Sequence, residues 1–183
     1  SNDIRSKQFI KIFKREDGTY ESMVQRVYRQ IRRAVLGATV TIATSRTQVS
    51  AIRNPLGEDV NICVEPCRRD TFPAIALAAS YLRDVKGVAE EEPAVVCPVD
   101  PYVDEEYFEA IARLGDLAVS KDVHLALIGI EPTYPSEKYG YIIPGDTGDI
   151  SAVEAFKEKP DKDLAEEYIA KGALWNGGVF GFK

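Results

Sequence analysis

The sequence predicts an α/β domain with a mixed, mostly parallel sheet, helices on both faces and one hairpin inserted into the series. Three observations predict it. Apolar, partly β-branched runs recur as TVTIA (39–43), NICVE (61–65), AVVCPV (94–99) and HLALIGI (124–130). Between them lie stretches whose apolar residues repeat at helical spacing, joined by short turns. The pattern breaks once, where YGYIIP and ISAVEAFKEKP flank the turn GDTGD and read as two antiparallel strands.

Each element has its own justification. QFIKIF (8–13) reads as a short extended segment closed by the turn signal Asp17-Gly18. In SMVQRVYRQIRRAVLG, Met23, Val24, Val27, Tyr28, Ile31 and Val35 form one helical stripe with arginines opposite. Pro73 opens the Ala-rich helix AIALAASYLRD, and Asp70 or Thr71 stands where a cap is needed. AVVCPV is continuously apolar, as a strand covered on both faces must be. Asp104, Glu105 and Glu106 put carboxylates at the positive end of the helix that continues as YFEAIARLGDLAV. DKDLAEEYIAKG is a helix stopped by Gly172, after which GVFGFK resumes a strand.

Bulk properties narrow the function. At 183 residues and 45% hydrophobic content the chain can build one domain with a core. A net charge of −6 argues against a nucleic-acid surface, whose affinity comes mainly from neutralising phosphates. No apolar run reaches the ~20 residues of a membrane span, and no signal-peptide pattern opens the chain. The sequence therefore reads as soluble and cytoplasmic, with no membrane partner. The three cysteines lack CxxC spacing, and Cys63 and Cys97 lie in apolar runs as core thiols. His124, the single histidine, lies inside an apolar run, which argues against a His-rich metal site or a Ser-His-Asp triad. The chain contains neither a Gly-rich phosphate loop nor a dinucleotide fingerprint.

In sheets of this kind ligands bind beyond the carboxyl ends of the strands. The residues that follow each apolar run are the candidates, and each has a structural alternative. Asp100 in CPVDP either caps a turn before Pro101 or ligates a divalent cation. EPCRRDTFPA is either a capped loop or a site where Arg68 and Arg69 meet anions or base edges at a helix start. Glu158 and Lys159 in FKEKPD are solvated strand-end charges or ligand contacts. Gly140, between two tyrosines, marks a bulge or a close approach to the backbone. WNGG is an Asn-Gly turn or room for a ligand. Lys7 is a surface lysine unless something recruits it.

In order, KQF, EPCRRDTFPAIALAA, CPVDP, EPTYPSEKYGYI, FKEKPD and GALWNGGVF resemble the sugar-1-phosphate nucleotidyltransferases, most closely the mannose-1-phosphate guanylyltransferases. The resemblance runs nearly the whole length, and six motifs in order are more specific than any one. It implies a Rossmann-like three-layer αβα nucleotidyltransferase domain of the glycosyltransferase-A-like type. It implies transfer of a nucleotidyl group from an NTP, GTP by this resemblance, to mannose 1-phosphate with Mg²⁺, giving GDP-mannose and pyrophosphate. Residue by residue, it implies that Lys7 contacts the phosphates, that Asp100 binds Mg²⁺, and that Arg69, Asp70 and Thr71 belong to the nucleotide-side loop. Gly140 then presents its backbone to the sugar, Glu158 accepts sugar hydroxyls, Lys159 holds the sugar phosphate and Asn176 bonds the sugar ring.

The family's opening Gly-rich loop is followed by a Ser and, six residues later, a Lys, the spacing of Ser1 and Lys7. Residues 1–183 are thus expected to be a single domain incomplete at both ends, without that loop and without the part beyond Lys183. The family's loop G-R-N-T-A-P-A is replaced at three places by Arg68, Asp70 and Phe72, its P-A-D-H has Pro101 after Asp100, and Glu137-Lys138 stand for Thr-Gly. These departures leave open the same chemistry with glucose 1-phosphate and UTP or dTTP, as well as a catalytically silent binding module. A homo-oligomer is also left open.

Overall fold

The computed structural model describes residues 6–120 and 122–183. A 3₁₀ turn, Lys7–Phe9, leads to a two-stranded ribbon of β1 (Phe13–Lys14) and β2 (Tyr20–Glu21), so only the end of QFIKIF is strand. The ribbon feeds α1 (Met23–Ala34), which Ser22 and Gln25 start with a capping box. Glu21 is buried there and accepts hydrogen bonds from Arg29 Nε at 3.1 Å and Nη2 at 2.6 Å, while Arg15 stands 3.9 Å away. A buried carboxylate requires such partners.

Next come β3 (Thr41–Ser45), a 3₁₀ turn (Arg46–Gln48), α2 (Val49–Leu56), β4 (Asn61–Glu65) and α3 (Thr71–Asp84). The sequence pattern did not reveal α2, a short helix with mixed polarity that contributes one core side chain, Ile52. Then follow β5 (Ala94–Val96), α4 (Glu105–Ala118) capped by Asp104, β6 (Ala126–Ile130), β7 (Gly140–Pro144), β8 (Val153–Glu158), α5 (Lys162–Ala170) and β9 (Leu174–Phe182).

The fold is mixed α/β, as expected, with β7 and β8 as the antiparallel hairpin. β3 and β4 pair in parallel, and β5, β6 and β7 share a direction. The pairing itself differs from the expected pattern. In the five-stranded sheet every hydrogen-bonded neighbour pair is antiparallel, because β9 runs against β5, β6 and β7 and lies between them. Apolar runs disclose burial but not direction, and β9 looks like any other buried strand in sequence.

One core lies under α1 and α4, where Met23, Val27, Phe108, Ile111 and Leu114 pack on Ala126 and Val179 of the sheet. A second lies under α5, where Ala165 and Tyr168 pack on Tyr141, Ala173 and Trp175. Each large side chain fully buried in this way, such as Phe108, stabilises the fold by about 1.5–3 kcal/mol. Cys63 is buried, and burial pushes the Cys97 thiol up to about 11, in keeping with core thiols; Cys67 is exposed.

Candidate active site

β9 is paired along one edge with β6 from Trp175 to Gly181. Its other edge is shared: β5 pairs with Phe180 to Phe182, and β7 pairs with Leu174 and Trp175. Residues 176–179 are left without a strand partner on that edge. The ladder from β5 stops because Pro98 has no N–H to donate, although its ring still reaches within 3.9 Å of where a side chain on Gly178 would begin. WNGG is therefore not a hairpin turn. It lies inside β9 at an irregularity of register, where Gly178 takes φ +70° and donates its N–H to Asn176 Oδ1 at 3.0 Å.

The gap gathers several of the expected residues. Gly140 begins β7 just beyond the Tyr141–Trp175 pair, directly opposite Glu158 of β8. Pairing and alternation place Gly140, Ile142, Phe156, Glu158, Leu174 and Asn176 on one face, whereas Tyr141 and Trp175 point to α5 on the other. Gly140 is needed sterically: a methyl group there would stand 2.7 Å from Phe156 Cζ and 2.8 Å from Glu158 Oε2. At Lys159 the backbone turns left-handed, with φ 45°, and its N–H is held by the Tyr139 carbonyl at 3.2 Å. On a regular strand neighbouring side chains point to opposite faces. The kink instead lets Lys159 Nζ approach Glu158 Oε1 to 3.2 Å.

On the β5 side, Asp100 lies beyond the strand end, and its Oδ2 is 4.0 Å from Lys7 Nζ, both side chains being exposed. The preceding Ser6 Oγ accepts from Gln48 Nε2 at 3.1 Å, and Gln48 Oε1 accepts from Thr44 Oγ1 at 2.8 Å. These bonds tie the Lys7 turn to the carboxyl end of β3. The parallel strand β4 ends on the same side, and Arg69, Asp70 and Thr71 follow it. Asp70 is the N-cap of α3, accepting from Thr71 N at 3.0 Å, and has φ 74° and ψ −173°. That region belongs almost to glycine alone, and strain of this kind costs about 1–3 kcal/mol and clusters at functional sites.

Thus Lys7 meets Asp100, and Gly140, Glu158 and Lys159 meet near Asn176. No hydrogen bond or ion pair among the described residues joins Arg69, Asp70 or Thr71 to either group. Ser1 lies outside the described residues. Sequence reasoning missed Ser6, Gln48 and Phe156, although the two-residue spacing in FKEKPD was enough to set Phe156 on the same face as Glu158. A hollow of about 320 Å³ lined by Tyr28, Arg32, Asp59 and Asn61 lies at the opposite ends of β3 and β4 and holds none of the expected residues.

The donor set can be tested against a divalent cation. Among the described residues no cluster of three His, Cys, Asp or Glu side chains could hold a metal. Asp100 stands as a single exposed carboxylate. This fits Mg²⁺, which usually takes one or two carboxylates and fills its octahedron with phosphate oxygens and water. Among the described residues no helix is long and apolar enough to cross a membrane.

The family model described as Nucleotidyl transferase matches residues 4–183. The xanthan biosynthesis protein XanB of Xanthomonas campestris pv. campestris (strain B100) is 39% identical over 124 residues, 67% of this chain and 26% of that protein. A mannose-1-phosphate guanylyltransferase of Salmonella muenchen is 31% identical over 194 residues, 100% of this chain and 39% of that one. Among solved structures, a mannose-1-phosphate geranyltransferase from Thermus thermophilus superposes with a TM-score of 0.81 at 32% identity, covering 100% of this chain and 52% of that one. The chain thus spans well under half the length of these sequence relatives. Its motifs, its fold and the match over residues 4–183 agree: the chain belongs to the nucleotidyl transferase family.

Proposed function

We propose that the protein transfers a nucleotidyl group from GTP to mannose 1-phosphate, giving GDP-mannose and pyrophosphate. The observation that carries this reading is the convergence of Gly140, Glu158, Lys159 and Asn176 at the unpaired stretch of β9, with Lys7 and Asp100 at the neighbouring strand end. An open backbone edge, a carboxylate and an amide suit a polyhydroxyl ring. Two lysines suit phosphates.

The attacking group is a phosphate oxygen, ionised at neutral pH, so no strong general base is needed. A bond forms from that oxygen to the α-phosphorus, and the bond to the pyrophosphate oxygen breaks. The protein's work is alignment and neutralisation of charge. Gly140 and Asn176 orient the ring, Glu158 accepts hydroxyl hydrogens, Lys159 holds the sugar phosphate and Lys7 contacts the phosphates. Arg69, Asp70 and Thr71 bind the nucleotide. Asp100 would hold Mg²⁺, which when bound neutralises charge on the phosphates. A cytoplasmic setting suits this reaction, since its nucleotide and sugar phosphate substrates are charged and water-soluble.

The test is pyrophosphate release by the intact protein with four NTPs against mannose 1-phosphate and glucose 1-phosphate, with and without Mg²⁺. Highest turnover with GTP and mannose 1-phosphate is expected. Turnover with no pair rejects the reaction, and preference for glucose 1-phosphate with UTP or dTTP keeps it with other substrates. Asp70 and Phe72 keep that second choice in the panel, because both stand exposed where the family's loop has an amide and a methyl.

A further inference from the structure

We infer that Phe156 is a further substrate-binding residue of this site, its ring forming the apolar wall against which the C–H face of the sugar rests. The inference rests on the reading that the sugar phosphate lies beside Gly140. Phe156 and Glu158 are alternate residues of β8 and face the same way, opposite Ile142 and Gly140. Their tips converge on Gly140 and cover it. A methyl group on residue 140 would meet Phe156 Cζ at 2.7 Å and Glu158 Oε2 at 2.8 Å. Any ligand that bonds the Glu158 carboxylate beside Gly140 therefore lies against the Phe156 ring.

The ring is 46% exposed. It faces away from the cluster under α5, where Tyr141 and Trp175 are covered. Leaving that much aromatic surface in water forgoes stabilisation that a ligand would restore on covering it. A pyranose carries hydroxyls around its rim and C–H bonds on its faces, so it needs two kinds of wall. Glu158 and Asn176 supply the polar wall, and Phe156 supplies the apolar one, the usual division of a small-molecule site. Phe156 has no hydrogen-bonding group and cannot read a hydroxyl's configuration. It contributes affinity for the ring as such, whereas the choice between hexoses falls to Glu158 and Asn176.

The experiment uses the intact protein, with mannose 1-phosphate and glucose 1-phosphate as probes, in both steady-state kinetics and calorimetric binding. Phe156→Ala should weaken both hexose phosphates by about tenfold, as expected for loss of one buried ring. NTP affinity and the thermal midpoint should stay at wild-type values, and Phe156→Tyr should restore binding. Unchanged hexose-phosphate affinity in Phe156→Ala overturns the inference. So does an equal loss of NTP affinity, which would mean that the sheet edge had been disturbed. If the wild type binds a hexose phosphate but turns over no NTP, the binding arm alone decides on Phe156, and only the proposed reaction fails. If the wild type binds neither hexose phosphate, both are rejected.

Discussion

Replacing Gly140 by Ala tests the site through a single methyl group. The added carbon would stand 2.7 Å from Phe156 Cζ and 2.8 Å from Glu158 Oε2, where ordinary contact begins at 3.4 Å. Each side chain must therefore retreat by roughly 0.6–0.7 Å. Both are partly exposed and can swing outward, so the stability cost should fall at or below the low end of the usual overpacking range of about 1–3 kcal/mol. Function is less forgiving. A displacement near 1 Å of an aligning group costs about 100-fold, and here the displaced carboxylate is the proposed hydroxyl acceptor. We expect kcat/KM for the sugar 1-phosphate to fall by about 10- to 100-fold, with the KM for NTP and the thermal midpoint nearly unchanged. The assay is pyrophosphate release with the sugar phosphate varied at saturating NTP. Wild-type kinetics in Gly140→Ala would refute the placement of the sugar beside Gly140.

Other expectations concern separate parts of the molecule. Asp100→Ala should reduce turnover by about 100-fold or more, while urea unfolding moves by less than about 0.5 kcal/mol because the side chain is exposed. Unchanged activity would contradict a metal role for Asp100. Glu21→Ala removes the buried carboxylate and leaves the partly exposed Arg29 without its partner, which should destabilise the fold by about 1.5–3 kcal/mol, with substrate KM values intact. A smaller shift in the urea midpoint than Asp100→Ala gives would reject that account. Thiol reagents should modify Cys67 quickly in the native protein and Cys63 only after unfolding. Because burial raises Cys97 from an ordinary 9.0 to about 11, the folded state holds its proton more tightly than the unfolded one. That contribution is complete below pH 9 and is lost as pH rises to about 11. The decline between these values should be shallower in Cys97→Ala.

Much of this was legible from residue order. The NICVE strand, the α4 start at Asp104 and the stop at Gly172 came out as their caps and periodicity required. Direction was not legible, since antiparallel β9 shares the composition of a parallel strand. The reading of Asn176-Gly177 as a turn failed for a related reason. Asn-Gly turns a chain only where two strands flank it, whereas here it lies within one strand that pairs with β6 both before and after the irregularity. Asp100 and Lys7 are 93 positions apart, and no local rule brings them together. The hydrogen bond from Gln48 to Ser6, across 42 positions, fixes the Lys7 turn at the end of β3, a long-range contact that a one-dimensional pattern does not encode.

The shared edge of β9 has a consequence for how such a site can change. The opening is bounded by the last paired residue of β5 and the first of β7, set against Phe180 and Trp175. Its length is therefore counted in whole residues of strand, in steps of about 3.3 Å. Point substitutions at Phe156 or Glu158 can adjust the lining continuously. A longer or shorter substrate demands that a strand gain or lose a rung of its ladder, and Pro98 now blocks one such step. Evolution of ligand length here should proceed in jumps, with proline as the ratchet.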